Sequence, residues 1–177
     1  ASHAAMLTEG GEGECLAHLA QYIAVLASVE DKIVDCFREG GGVPYSAYPR
    51  FHDVMAQDSR QSVVNALDKH ILPLDPEIIP ALERGVDVLD VGCGQGYALR
   101  VLASAYPKSR FTGYDLSEEA ISFARSETAA HGLTNLRFEI RDLTSFHQDA
   151  EPDRFDLVTA FDAIHDQARP DHVLAGI

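Results

Sequence analysis

The chain is 177 residues long, 46% hydrophobic and 24% charged, the proportions of a soluble globular protein with room for one core and a helical appendage. Lys+Arg 14 against Asp+Glu 28 gives a formal net charge of −14, which excludes a broad basic surface for nucleic acid and disfavours an anionic membrane. Three scattered cysteines, Cys15, Cys36 and Cys93, without a Cys-x-x-Cys pair, argue against a disulfide framework or structural zinc. A reducing cytoplasm is the default compartment, and no metal, nucleic-acid or membrane partner is expected. No apolar run has the length of a bilayer span and no signal-peptide pattern opens the chain. The start at Ala1-Ser2-His3, without methionine, reads as a piece of a longer protein.

From Glu14 to Glu39 the residues Leu16, Leu19, Ile23, Leu26, Ile33, Val34 and Phe37 recur at helical spacing, predicting one amphipathic packing helix that Gly40-Gly41-Gly42 stops. Val43–Tyr48 and Pro49 form an aromatic, proline-punctuated loop. A second helical region runs from Arg50 to Ile71, with Val54, Val63, Val64, Leu67 and Ile71 on its buried side and an interruption or cap at Asp58-Ser59. Pro73, Pro76 and Pro80 lead to a short helix ending near Gly85. Residues 1–84 are therefore expected to form a helical linker or cap.

After Gly85 strands and helices alternate. Strands are predicted at Asp87–Val91, Arg110–Tyr114, Leu136–Ile140 and Phe155–Phe161, with helices at Gly96–Ala105 and Ser117–His131. Ser117 is the expected N-cap, and Glu118 and Glu119 suit the positive end of the helix dipole. Helix-length crossovers imply parallel pairing and an α/β, Rossmann-like doubly wound sheet over residues 85–177. Another helix begins in the stretch from Ala168 to Ile177. Four strands ending on an apolar edge predict further sequence after Ile177, and open edges favour homo-oligomers.

The chemistry concentrates where β-strand pattern meets Gly92-Cys93-Gly94-Gln95-Gly96. The spacing is Gly-x-Gly-x-Gly; Tyr97 stands where a dinucleotide site wants its third glycine, which disfavours an NAD-dependent oxidoreductase. Ligands of such sheets sit beyond the carboxyl ends of the strands, and each predicted strand places an acidic residue there: Asp90, Asp115, Asp142 and Asp162. Asp115 can accept both hydroxyls of a ribose, and Asp142 can accept an adenine amine while a flanking backbone N–H meets a ring nitrogen. Leu116 and Leu143 can sandwich the base. The Gly92-Cys93-Gly94 backbone can approach a compact zwitterionic tail whose ammonium group Asp90 receives.

Val88–Gly96 closely resembles the first motif of class I S-adenosylmethionine-dependent methyltransferases. Phe111–Ser117 resembles their second-strand acidic motif, Arg141-Asp142-Leu143 their adenine motif, and Phe155–His165 their fourth strand and its exit. The resemblance covers about Asp87 to Ile177. It implies a seven-stranded sheet, S-adenosylmethionine as cofactor and S-adenosylhomocysteine as product, with Asp90, Gly92, Cys93, Gly94, Gly96, Asp115, Leu116, Asp142, Leu143 and Phe161 as cofactor-site residues.

His3–Thr8 and Gly41–Tyr48 are similar to the linker of a bacterial-type subfamily that carries a winged-helix domain before the catalytic one. Tyr45-Ser46-Ala47-Tyr48 is also similar to the tyrosine-bearing loop of fatty-acid-modifying methyltransferases, which implies Tyr45 or Tyr48 as a donor to the cofactor carboxylate. Simpler roles stand beside these: Asp142 as the cap of a turn before Thr144, Cys93 as a small turn residue, Tyr45 and Tyr48 as packing aromatics. His165, just past the fourth strand, is the candidate general base, or else a loop histidine between Asp162 and Asp166. The expected function is methyl transfer to a small-molecule acceptor. The alternative is a catalytically inactive cofactor-binding regulatory or scaffold protein, and this stretch alone need not be active.

Overall fold

The computed structural model describes Leu7 and residues 16–177. Its contacts divide the chain into a first unit ending at Ser62 and a second spanning Val63–Ile177. That division falls earlier than the expected one near Gly85, because Leu67, Leu72 and Leu82 are buried with the core of the sheet.

The first unit contains helices α1 (Leu19–Ala27), α2 (Glu30–Glu39) and α3 (Phe51–Ser62). Glu14 and Cys15, where the single long helix was expected to begin, lie outside the described residues, as does His3–Thr8 apart from Leu7. The remainder of that helix is two helices. The Ser28 hydroxyl donates to Val25 O at 2.6 Å, and buried Val29 leaves helical backbone at φ −123° before Glu30 and Asp31 open α2. The apolar stripe also departs from a packing face. Ile23 and Phe37 are 73% and 89% exposed, whereas Val25, Val29 and Val54 are buried. A polar cluster ties α1 to α3: the His18 ring meets Asp58 Oδ1 at 2.9 Å, and the Tyr22 hydroxyl donates to Asp58 Oδ2 at 3.2 Å. Gly40, at φ 82°, ends α2 as its sequence predicts.

The second unit opens with a 3-10 turn at Val64–Ala66 and a wider π turn at Leu67–Ile71, so the expected helix to Ile71 stops at Ser62 instead. Helix α4 (Ile78–Arg84) leads into β1 (Asp87–Val91), α5 (Tyr97–Ala105), β2 (Arg110–Asp115), α6 (Glu118–Ala130) and β3 (Leu136–Ile140). A four-residue helix α7 (Phe146–Asp149), β4 (Leu157–Thr159), a 3-10 turn at Ile164–Asp166 and α8 (Pro170–Gly176) complete it. The order is β3-β2-β1-β4, with every pairing parallel.

β1 is central, so both its faces are covered and its last four residues are buried, Val88, Leu89 and Val91 as apolar core and Asp90 as a buried carboxyl. Val88, Phe111 and Phe138 pack with Leu99 and Leu102 of α5 and Ile121 and Ala124 of α6. Leu89, Val91 and Tyr114 pack on the other face with Leu143, Phe146 and Val173. This alternation follows from successive strand side chains pointing to opposite faces. β4 is shorter than its predicted Phe155–Phe161, as an edge strand paired on one side only.

Candidate functional site

The glycine turn is anchored from beneath. Gly92 and Cys93 N–H both donate to Tyr114 O, at 2.8 and 3.0 Å, and Gly96 N–H donates to Cys93 O at 2.9 Å. The Gly92 and Cys93 backbone donors that the sequence aims at a zwitterionic tail are therefore engaged by β2. All three glycines adopt left-handed backbone, at φ 72°, 53° and 68° for Gly92, Gly94 and Gly96. They differ in their surroundings. A Cβ on Gly92 would lie 2.5 Å from Ala163 Cβ, and one on Gly96 would enter the Phe138 ring. A Cβ on Gly94 would meet nothing within 4 Å. The turn is thus closely packed at both ends, on Ala163 beyond β4 and on Phe138 of β3, and leaves its middle open.

Asp115, at the tip of β2, ties that open middle to the next helix. Its Oδ2 accepts Gly94 N–H at 2.8 Å, and its Oδ1 accepts Ser117 N–H at 2.8 Å. Each carboxylate oxygen holds one backbone donor and keeps a further lone pair, the arrangement a paired ribose diol requires. Ser117 is the N-cap of α6, accepting Ala120 N–H at 3.2 Å.

Asp90 is 3% exposed, and the Thr159 hydroxyl lies 2.8 Å from its Oδ1. Burial pushes its pKa up to about 7; the Thr159 hydrogen bond opposes that rise and the negative Asp115 adds to it. Burial, with Asp90 and Asp115 nearby, also raises the Cys93 thiol well above its ordinary value. A thiol so raised is neutral at ordinary pH, the less nucleophilic form.

Asp142 is exposed and its Oδ1 accepts both the Thr144 N–H at 2.9 Å and the Thr144 hydroxyl at 2.6 Å. Those bonds hold its carboxyl below the usual range. It therefore caps a turn through Oδ1. Leu116 is 62% exposed, whereas Leu143 is 4% exposed and belongs to the core. The expected pairing of two leucine side chains across a base is not built here, because the Leu143 side chain is buried in the cluster that holds Tyr114 and Phe146. Phe161 is half-buried against the core on the α5 face.

His165 stands 65% exposed in the 3-10 turn, with Nδ1 3.7 Å from Asp162 Oδ1 and Nε2 3.3 Å from Asp166 Oδ1. Asp162 takes a left-handed backbone at φ 55°, which turns the chain at the exit of β4. Tyr45 and Tyr48 lie in the first unit, where both rings pack on Phe51 at 4.7 and 5.6 Å between centroids. A cavity of about 300 Å³ on the other face of the sheet, lined by Tyr114, Phe146, Phe155 and Val158, includes none of the predicted cofactor residues.

Sequence reasoning missed Thr159 and the Ser117 N–H. The only sequence signal for Thr159 was a hydroxyl inside an otherwise apolar strand; its role depends on the β1–β4 register, which sets it opposite Asp90.

Among the described residues no helix is long and apolar enough to cross a membrane. A family model described as "Methyltransferase domain" matches residues 82–177. The chain is similar to 2-heptyl-1-hydroxyquinolin-4(1H)-one methyltransferase of Mycobacteroides abscessus, 36% identical over 74 residues, which is 40% of this chain and 32% of that protein. It is also similar to ribosomal RNA small subunit methyltransferase C of an Enterobacter species, 38% identical over 79 residues, 45% of this chain and 22% of that protein. The matched stretches thus span a third or less of these relatives' own lengths. Among solved structures, StiE O-MT is alike in fold, with a TM-score of 0.53 at 22% identity, covering 68% of this chain and 41% of that one. Glycine turn, parallel sheet and family match agree, and the chain belongs to the class I S-adenosylmethionine-dependent methyltransferase family.

Proposed function

We propose that the carboxyl rim of the sheet binds S-adenosylmethionine and that the protein transfers its methyl group to a small-molecule acceptor. The observation carrying this reading is the Asp115 carboxylate, fixed by Gly94 N–H and Ser117 N–H beside the open side of Gly94. A pre-oriented carboxylate holds a ribose diol without the entropy loss of ordering a free side chain. Asp90 receives the ammonium group, Asp142 Oδ2 the adenine amine and Leu143 N–H a ring nitrogen, while Leu116 covers the base.

The bound cofactor supplies a sulfonium-activated methyl group, so the protein contributes alignment and exclusion of water. To His165, between Asp162 and Asp166 at the exit of β4, we assign the role of taking a proton from the acceptor. A net charge of −14 opposes docking on ribosomal RNA and favours a small acceptor, in line with the quinolone-methylating relative.

Methyl-labelled cofactor tests the acceptor class. Incubation with a low-molecular-weight metabolite fraction and, separately, with ribosomal RNA should label the small organic fraction. Label in RNA alone would overturn the acceptor class. Tight cofactor binding without labelling of either pool would favour the inactive, binding-only alternative. His165→Gln should lower turnover about a hundredfold or more, the low end for loss of a general base, with cofactor affinity held within twofold. Unchanged turnover would remove the histidine from the reaction.

A further inference from the structure

Asp90 and Thr159 face each other across the β1–β4 pairing, and the Thr159 hydroxyl has two acceptors in reach: Asp90 Oδ1 at 2.8 Å and Leu89 O at 3.3 Å. A threonine hydroxyl carries a single hydrogen and can also accept. With Asp90 ionised, that hydrogen points to Oδ1. With Asp90 protonated, the carboxyl O–H donates to Thr159 Oγ1, and the threonine hydrogen turns to Leu89 O. Both protonation states of a carboxyl 3% exposed are therefore hydrogen-bonded by one rotating hydrogen, with no heavy atom displaced. A valine there would satisfy neither state.

We propose that Asp90 and Thr159 form a proton-exchanging latch for the cofactor, in which the ammonium group of the incoming amino-acid tail displaces a proton from Asp90 and Thr159 switches from acceptor to donor. The inference rests on the proposed cofactor site. The balance is a neutral carboxyl and an ammonium group going to a carboxylate–ammonium pair, with one proton released to solvent and no covalent bond formed apart from that exchange. The ionisable groups acting on Asp90 are Asp115 of β2, whose negative charge favours the protonated form, and Cys93 of the turn, whose buried thiol is neutral. The β4 neighbour, Thr159, is uncharged. Asp90, with its carboxyl raised to about 7, enters neutral solution largely divided between the two states. Thr159 is a positioning residue that acts through Asp90.

The test is calorimetric titration of the protein with S-adenosylhomocysteine at pH 6 and pH 8, each in two buffers of different ionisation enthalpy. The expected result is release of nearly one proton at pH 6, little at pH 8, and roughly tenfold tighter binding at pH 8, as linkage to a carboxyl of this kind requires. 5′-Methylthioadenosine, which lacks the amino-acid tail, should bind without proton release. Thr159→Val should move the midpoint of proton release to higher pH, because the ionised carboxylate loses its donor, and Thr159→Ser should restore it. S-Adenosylhomocysteine binding with equal affinity at both pH values and no proton release would overturn the latch. An unmoved midpoint in folded Thr159→Val would overturn the part given to Thr159. Absence of binding at either pH would instead overturn the cofactor-site reading beneath it.

Discussion

Alanine at Gly94 and alanine at Gly96 separate two demands on one turn. Both positions have left-handed backbone, which costs an alanine on the order of 1 kcal/mol. At Gly96 the methyl group also enters the Phe138 ring, so Gly96→Ala should lower the urea midpoint strongly and cooperatively. At Gly94 the methyl group meets no protein atom within 4 Å. Gly94→Ala should therefore remain folded with only the backbone penalty, while weakening cofactor binding tenfold or more in a calorimetric titration. Asp90 carries the opposite trade. Its folded-state pKa of about 7 lies above the ordinary 3.8, so its contribution to stability is fully present below about pH 4 and is lost as pH rises through 7. Asp90→Asn should accordingly raise the melting temperature of the ligand-free protein at pH 8, with the difference shrinking toward pH 4. Equal melting temperatures at pH 8 would contradict the buried charge.

Elements joined by backbone alone could be read from pattern; elements held by side-chain ties could not. β1 and β3 have their predicted ends because a short strand pattern between a glycine or asparagine and a turn leaves little choice of boundary. The helix expected over Glu14–Glu39 failed at Ser28-Val29, where a serine hydroxyl took a backbone carbonyl, a local competition that apolar spacing does not report. Helix α7 was missed because four residues are too few to show a period. Ser109 shows how strongly a side-chain tie can act. It is fully buried, donates to Leu82 O at 2.7 Å and accepts Val86 N–H at 3.1 Å, fastening the end of α4 to the entry of β1. Ser109→Ala leaves two backbone groups without that partner and should destabilise the second unit by about 1–3 kcal/mol in urea unfolding. Ser117→Ala, which removes only the side-chain cap of α6, should cost about 1 kcal/mol.

At the scale of the whole molecule, a net charge of −14 makes self-repulsion a general term. Raising ionic strength from about 10 mM to 150 mM shortens the screening length from roughly 30 to 8 Å. The melting temperature should rise over that interval, and a fall would mean that attractive pairs outweigh the repulsion. The same charge was legible in composition, as was the family in four strand-tip motifs. The partnership of Asp90 with Thr159 was hidden because it depends on which strand lies beside β1, a fact of topology. So too was the commitment of Leu143 to the core, decided by the packing of Tyr114 and Phe146. The account stands most directly on Asp115. Calorimetric titration with S-adenosylhomocysteine should give one site in the parent protein, weakened roughly a hundredfold in Asp115→Ala, as loss of two hydrogen bonds to a charged acceptor implies. The variant's far-ultraviolet circular dichroism should stay unchanged. A folded Asp115→Ala protein that binds the ligand as tightly as the parent would contradict the assignment of this rim as the cofactor site.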